Sequence, residues 1–328
     1  MLSKYLTSYL PGRRNVSSNT VRSYRDTFRL LLMYCQDVRK LRIEKLALKD
    51  IDEPLIVGFI DWLGHERHNG TTTQNQRLAC IHGFCRYAQI EDPVGLLSYQ
   101  RVLSIPMKKA AKPTVNHLTP DALKLILAQP DLSKASGRRD LTLLSLLYDT
   151  GARVQELVDL KVRDVRLEAP PVVILTGKGR KTRQVPLMPN THTLLKRYMD
   201  EFHLFRDVSQ DNPLFMNRMH GKLTTEGVNF ILNKYVSRAR EVSVTIPERV
   251  TPHVLRHTKA MHLLQAGVNL IYIRDLLGHV DISTTEIYAR ADTELKRKAL
   301  ETAYPSPTVP DLPEWSQDES LLAWLDKL

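Results

Sequence analysis

Cysteine is scarce in this chain. Its 328 residues include three, Cys35, Cys80 and Cys85. The number is odd and none stands at a metal-ligand spacing such as C-x-x-C, so reduced, partly buried thiols in a cytosolic protein are the simplest expectation. Long apolar runs are also missing: no uninterrupted stretch is long enough to span a bilayer. No apolar signal-peptide core follows Met1-Leu2-Ser3-Lys4, so neither a membrane nor export is expected. There is no internal repeat. A phosphate-binding P-loop is excluded, because Gly177-Lys178 is followed by Gly179 rather than Ser or Thr and the upstream glycine spacing is absent. What is present fits a folded protein. The apolar fraction is 42%, ordinary for globular chains, and the length suffices for two domains with their own cores.

The charge is uneven. The formal net is +11, made of +8 in residues 1–116, +8 in 117–300 and −5 in the last 28 residues. Two basic bodies and a short acidic tail fit a protein that grips a polyanion with both domains, although composition alone also allows a solvated basic surface.

The first hundred residues read as helical. Val21, Tyr24, Phe28, Leu31 and Cys35 recur at spacings of three and four, with Arg22, Arg25 and Arg29 as a basic row beside them. A second helix follows Asp52 with Leu55, Phe59, Trp62 and Leu63. A third is expected from Thr71, with Thr71 and Gln74 as a capping box and Leu78, Ile81, Cys85 and Ala88 on one face. The segment IPMKKAAKPTVNH, residues 105–117, has no periodicity and reads as a linker between a helical domain, 1–104, and a second domain, 118–302. There Thr119-Pro120 opens a helix, and helices are expected over Asp140–Thr150 and Val154–Leu160. VVILT and TRQVPL form a strand pair around the turn at 177–181. Helices in short capped pieces follow: one from Thr251-Pro252, one from Asn269 to Gly278, and one with Ser283 and Glu286 as a capping box. The remaining segment, 303–328, is proline-rich and ends in an apolar helical face of Leu321, Leu322, Trp324, Leu325 and Leu328.

Four short segments carry groups suited to a phosphate. Arg153 starts a helix just after a glycine turn, and a guanidinium offers two parallel donors to non-bridging oxygens. Lys178 stands at the hairpin tip, where an ammonium can protonate a leaving oxygen. His253 and Arg256, three apart behind Pro252, converge at a helix N-terminus whose dipole favours an anion. A metal reading competes here, since His253 and His257 stand at i and i+4 with His262 nearby, but no Glu lies between them. His279 follows the glycine that ends one helix, and Tyr288 lies just over one turn into the next. A phenol with an ordinary pKa of about 10 needs neighbouring cations or a base to attack at neutral pH.

The order Arg…Lys…His-x-x-Arg…His…Tyr, in the contexts TGARVQEL, TGKGRKTRQVPL, TPHVLRHTKAMHLLQAG and LLGHVDISTTEIYAR, resembles the tyrosine recombinase (phage integrase) family and its Xer-like members. The stretch NTVRSYRDTFRLLLMYC is similar to the first helix of that family's core-binding domain. Lys259-Ala260-Met261 departs from the aromatic and small residues common there. The resemblance implies a mainly α fold with a small β-sheet: a SAM-like helical core-binding domain and a mixed α/β catalytic domain, forming a C-shaped clamp on DNA. It implies site-specific recombination through a 3′-phosphotyrosine, serving integration, excision, transposition or resolution of DNA elements. The implied catalytic set is Arg153, Lys178, His253, Arg256, His279 and the nucleophile Tyr288, with Lys178 as general acid and His253 as acceptor of the tyrosine proton. Arg22, Arg25, Arg29, Arg77, Arg180 and Lys181 are the candidate DNA contacts. No metal and no cofactor are implied. The implied partners are double-stranded DNA with an inverted-repeat core site and further copies of the chain, two on one site and four in the synapse. A related recombinase or accessory protein and a tail that docks in trans are also in prospect. The expected location is the cytoplasm, with the nucleoid. Type IB topoisomerase chemistry, a catalytically silent scaffold and a metal-dependent nuclease are the rival readings.

Overall fold

The chain divides into two units, Met1–Pro113 and Thr114–Leu328. The computed structural model describes residues 1–110, 115–177, 179, 181–205, 210–279, 281–292 and 323, with only the backbone described at 283, 290 and 291. Lys178, Arg180 and the apolar face expected in the tail therefore lie outside the described residues.

The N-terminal unit is helical. Helix α1 (Leu2–Lys4) runs on as a π-helix through Tyr5–Arg13, and is followed by α2 (Ser18–Asp37), α3 (Glu53–His65), α4 (Thr71–Glu91) and α5 (Leu96–Ser104). Side-chain caps set two of these starts: Ser17 Oγ accepts from Thr20 N at 3.3 Å and Asp52 Oδ1 from Leu55 N at 2.9 Å. Each such cap contributes about 1 kcal/mol. The stripe on α2 buries Phe28, Leu31 and Cys35 against Phe59, Leu63, Ile81 and Phe84. Full burial of such a side chain is worth roughly 1.5–3 kcal/mol. Tyr5 packs on Phe84 and Tyr87 with ring centroids 5.3 and 5.0 Å apart. All three cysteines are fully rather than partly buried. Burial pushes the Cys85 thiol up to about 12, which leaves it inert.

The expected capping box at Thr71 does not form. The chain enters α4 one residue earlier, with extended Gly70 as the cap. Gln74 is then one position too far along, and its Nε2 donates instead to Asn69 O at 2.7 Å. Within the expected linker, Lys108 is fastened to the N-terminal unit: its amide and carbonyl bond the Asn75 side chain, and Nζ lies 3.1 Å from Asp61.

The second unit holds α6 (Pro120–Leu127), α7 (Ala135–Thr150), α8 (Val154–Asp159), β1 (Val165–Arg166), β2 (Val172–Thr176), β3 (Thr182–Pro186), α9 (Pro189–Glu201), α10 (Thr225–Val242), α11 (Pro252–Gln265), α12 (Leu270–Leu277) and α13 (Ser283–Ala291). The strands form an antiparallel sheet in the order β1-β2-β3, with Val173 opposite Val185 and Thr176 opposite Thr182. Strand β1 is two residues long and has no period to read, so the sequence did not announce it. Thr119, Thr224, Thr251 and Asn269 cap α6, α10, α11 and α12 through their side chains. The box expected at Ser283 and Glu286 turns on the Ser283 side chain, which lies outside the described residues. Ile282 occupies the cap position in a helical conformation, and the turn closes through Glu286 N on Ile282 O at 2.9 Å. The core runs from α6 and α7 through the sheet to α10, with Leu143, Leu147, Val173, Val185 and Leu232 fully enclosed. A smaller cluster of Ala260, Met261, Ile273, Leu277 and Tyr288 joins α11, α12 and α13. Among the described residues, no helix is long and apolar enough to cross a membrane.

Candidate active site

Two left-handed glycines shape the site. Gly151 ends α7 at φ +56°, and a Cβ there would meet Leu277 Cδ2 at 2.8 Å. Gly278 ends α12 at φ +65°, and a Cβ there would meet Arg183 Nη1 at 2.9 Å. Both positions require glycine, for conformation and for space. The first turn delivers Arg153 and the second delivers His279.

Arg256 ties the two turns together. It lies on α11, 2% exposed, and its two amino groups donate to Gly151 O and Leu277 O at 2.6 Å each. Such charge-assisted bonds satisfy the donors but do not neutralise the charge. Among the described residues Arg256 forms no ion pair. Burial, then Arg153, pulls its pKa down to about 10, so it stays cationic at neutral pH.

Arg153 caps α8. Its backbone N–H donates to Glu156 Oε2 at 2.9 Å, its Nη1 to Glu156 Oε1 at 2.8 Å and its Nη2 to Gly278 O at 3.4 Å. Glu156 is nearly buried and also takes both amino groups of Arg183, at 3.1 and 2.7 Å. Burial alone would raise its carboxyl, but the bonds from Arg183 and Arg153 outweigh it and hold the group at about 2. Arg183 Nε reaches Leu276 O at 2.8 Å. The Glu156–Arg183 pair thus connects α8, β3 and α12. Neither residue stood out in the sequence, because the contacts span 27 and 93 positions. An acidic residue three after a helix-starting Arg was the only available signal.

Tyr288 is 1% exposed. Its hydroxyl lies 2.9 Å from His257 Nδ1. The ring of His279 stacks on it at 6.4 Å between centroids, while His279 Nδ1 is engaged with Thr285 Oγ1 at 2.9 Å. Burial raises the phenol pKa more than Arg256 and Arg153 lower it, so the resting hydroxyl is protonated. Burial, with His253 and Arg256, lowers His257 to about 4, and burial with Arg256, Arg153 and Arg183 lowers His279 to about 4. Both rings are neutral at rest.

His253 does not hold the phenol. It sits at the exposed start of α11, with its ring edge-on to His257 at 4.2 Å between centroids. One helical turn separates the two rings, and the inner one, His257, reaches Tyr288 first. Of the histidines in the metal reading, His262 is already engaged. His262 spends Nδ1 on the Tyr148 hydroxyl at 2.8 Å and Nε2 on Leu118 O at 2.9 Å, so it has no nitrogen left for a shared ion. The unusual Lys259 stacks its ammonium over Tyr148 at 4.9 Å and lies 3.5 Å from Asp149.

Arg153, Lys181, Arg183, Arg274 and His279 line an open cleft of about 520 Å³ over the site. Several cations facing one cavity suit a phosphodiester. Of the expected DNA contacts, Arg22, Arg25, Arg29 and Lys181 are exposed, with Arg25 paired to Asp26 at 2.8 Å. Arg77 is different. It turns inward and bonds Ser23 O and Thr27 Oγ1 on α2, at 3.2 and 3.0 Å, which makes it a tie between helices.

Comparison with known proteins gives one answer over most of the chain. Residues 116–294 match the model "Phage integrase family", and residues 4–92 match "Phage integrase, N-terminal SAM-like domain". The chain is 37% identical to a protein of Sinorhizobium fredii named integrase/recombinase y4rC, over 100% of this chain and 97% of that one. It is 33% identical to the tyrosine recombinase XerD of Listeria monocytogenes, over 88% and 93%. The structure resembles the crystal structure of the XerH site-specific recombinase bound to difH substrate in a pre-cleavage complex. There the TM-score is 0.66 and the identity 26%, covering 87% of this chain and 80% of that one.

Proposed function

The chain belongs to the phage integrase family, and from that premise we propose how its residues carry out tyrosine recombination, the cutting and rejoining of DNA strands at specific sites. Tyr288 attacks the scissile phosphate, forming a 3′-phosphotyrosyl link and freeing a 5′ hydroxyl. Arg153 and Arg256 clamp the non-bridging oxygens as charge builds in the transition state. Lys178 protonates the leaving 5′ oxygen, and His253 and His279 hydrogen-bond the phosphate. A 5′ hydroxyl from a partner duplex then attacks the tyrosyl phosphate and reseals the strand in a new connection. The phosphodiester energy is kept in the covalent link, so no ATP enters this scheme.

The observation that carries this reading is a buried tyrosine hydroxyl in the field of Arg256, a buried cation whose guanidinium forms no direct ion pair among the described residues. Burying a charge costs several kcal/mol unless a partner offsets it. A phosphate is the partner whose charge and shape fit.

The DNA is a duplex whose inverted-repeat core site binds two copies of the chain, with four in the synapse. Residues 303–328 join neighbouring copies, so truncation after Ala303 leaves cleavage of a single site intact and lowers assembly of the four-copy complex. The test of the whole reading uses nicked suicide duplexes tiled over DNA around the chain's own gene, in EDTA. Wild-type protein gives an adduct that survives SDS, and Tyr288→Phe gives none. An adduct with the variant, or cleavage only after metal is restored, would overturn the assignment.

A further inference from the structure

The Tyr288 proton needs a destination, and the site offers one that the scheme above leaves unused. We infer that His257 is a catalytic residue that holds the Tyr288 hydroxyl through Nδ1 and takes its proton as the tyrosine attacks. This rests on the reading of Tyr288 as nucleophile and completes its proton path.

The geometry selects His257 among the described residues. Its Nδ1 is 2.9 Å from Tyr288 Oη, within direct transfer distance. His279 faces the same phenol with its ring, but its Nδ1 is committed to Thr285. His253 reaches the phenol only across His257, the two rings meeting edge-on at 4.2 Å. Arg256 and Arg153 cannot accept a proton. For Nδ1 to accept from the hydroxyl, the ring carries its own hydrogen on Nε2, the tautomer that this bond requires.

The electrostatics supply a trigger. At rest the groups facing His257 are His253 and Arg256 on its own helix, His279 beyond the end of α12 and the protonated Tyr288 on α13, and this cationic, desolvated setting keeps the imidazole neutral. A neutral ring can accept, but it is a weak base there. A phosphodiester entering the cleft brings negative charge beside Arg153 and His279 and raises the affinity of His257 for a proton. Deprotonation of the tyrosine is thereby coupled to the presence of DNA, and the free enzyme keeps its nucleophile capped.

The step balances. The Tyr288 O–H bond breaks and its proton goes to His257 Nδ1, while the Oη–P bond forms with the phenol's electron pair. The P–O5′ bond breaks, and O5′ takes its proton from the general acid, Lys178 in the proposed scheme. On resealing, a 5′ hydroxyl attacks the phosphorus and gives its proton to the now neutral Lys178, the P–Oη bond breaks, and His257 returns its proton to the departing Tyr288 oxygen.

Asparagine tests this cleanly, because its Oδ1 can accept a hydrogen bond where Nδ1 did but cannot take up a proton. The probe is the nicked suicide duplex on which wild-type protein forms its adduct, read as single-turnover adduct formation. His257→Asn is expected to slow the step about 100-fold or more while duplex binding in a gel-shift assay stays within about twofold. A second duplex carries sulfur in place of the 5′ bridging oxygen, a leaving group that needs no acid. On it the His257→Asn defect persists, whereas Lys178→Ala recovers. An Asn variant as fast as wild type, or one rescued by sulfur, would overturn the inference and leave Tyr288 as nucleophile. Thermal melting of His257→Asn and its gel-shift affinity identify a folding defect, and His257→Gln then repeats the test at the same position. Wild-type protein giving no adduct on any duplex would instead bring down the underlying reading.

Discussion

The N-terminal unit buries Thr27, Gln74 and His82 as its polar residues, each bonded to a backbone carbonyl within reach. The second unit buries Asp140, Glu156 and Arg256 along with several threonines. In the first, aromatic and aliphatic packing closes the core, and the basic row of Arg22, Arg25 and Arg29 stays in solvent. In the second, charged side chains lie inside: Glu156 joins Arg153 and Arg183 in a network from α8 to α12, and Asp140 on α7 bonds Arg139 and Tyr235. Paired internal charge is a poor source of stability, so the network around Glu156, beside Arg256 and Tyr288, points to chemistry rather than to stability. The difference separates a unit built to present a surface from one built to hold a charged site.

The largest effect expected from breaking this contrast comes at Glu156. Replacing it with Ala leaves Arg183 with no carboxylate and removes the bond to the Arg153 amide, a loss of about 3–5 kcal/mol for a broken buried pair. Hydrogen exchange should show protection lost along α8, β3 and the end of α12, with α2 to α4 unchanged. Equal loss in both units would dissolve the distinction.

Acid should sharpen it next. His257 and His279 are held at about 4, below the roughly 6.5 of an unfolded imidazole. Between these values the unfolded chain binds more protons, so stability falls as the pH drops from about 6.5 toward 4. Burial lowers His253 and His262 in the same direction. Glu156 acts in a lower window: its contribution is present above about 4.5 and fades as the pH falls toward 2. In the N-terminal unit, burial lowers His82 in the same sense. Urea denaturation from pH 7 to 4.5, followed by exchange in each unit, should show the second unit weakening first and the N-terminal unit only slightly.

The smallest effect is expected at the surface. Changing Arg22, Arg25 and Arg29 together to Ala should leave both melting transitions within about 0.5 kcal/mol. DNA affinity should fall, and its salt dependence should lose about one unit of slope per phosphate contact removed. Arg77→Ala should do the reverse, loosening α2 against α4 with little change in the salt slope. If Arg77 moved the slope and the triple variant did not, the division between surface row and internal tie would be wrong.

Much of this site is written in local signals. Pro252 behind Thr251 fixes where α11 begins, and the glycines at 151 and 278 fix where Arg153 and His279 emerge. The helical and strand segments around them are readable from period and caps. What the sequence hides is contact between distant segments. His257 reads as the neighbour of Arg256, and only the packing of α13 against α11 brings Tyr288 to it. Glu156 and Arg183 look like ordinary surface charges until β3 and α8 meet. The missed cap at Gly70 has a simpler cause: a side-chain capping pattern shifted by one residue still looks right on paper.

The most direct test of the central claim is to digest the wild-type covalent adduct with protease and find, by mass spectrometry, the residue bearing the nucleotide 3′-phosphate. A single modified peptide is expected, with the phosphate on Tyr288. Attachment to another residue, such as the exposed Tyr272 on α12, would contradict it and would make the buried charge around Tyr288 a matter of structure alone.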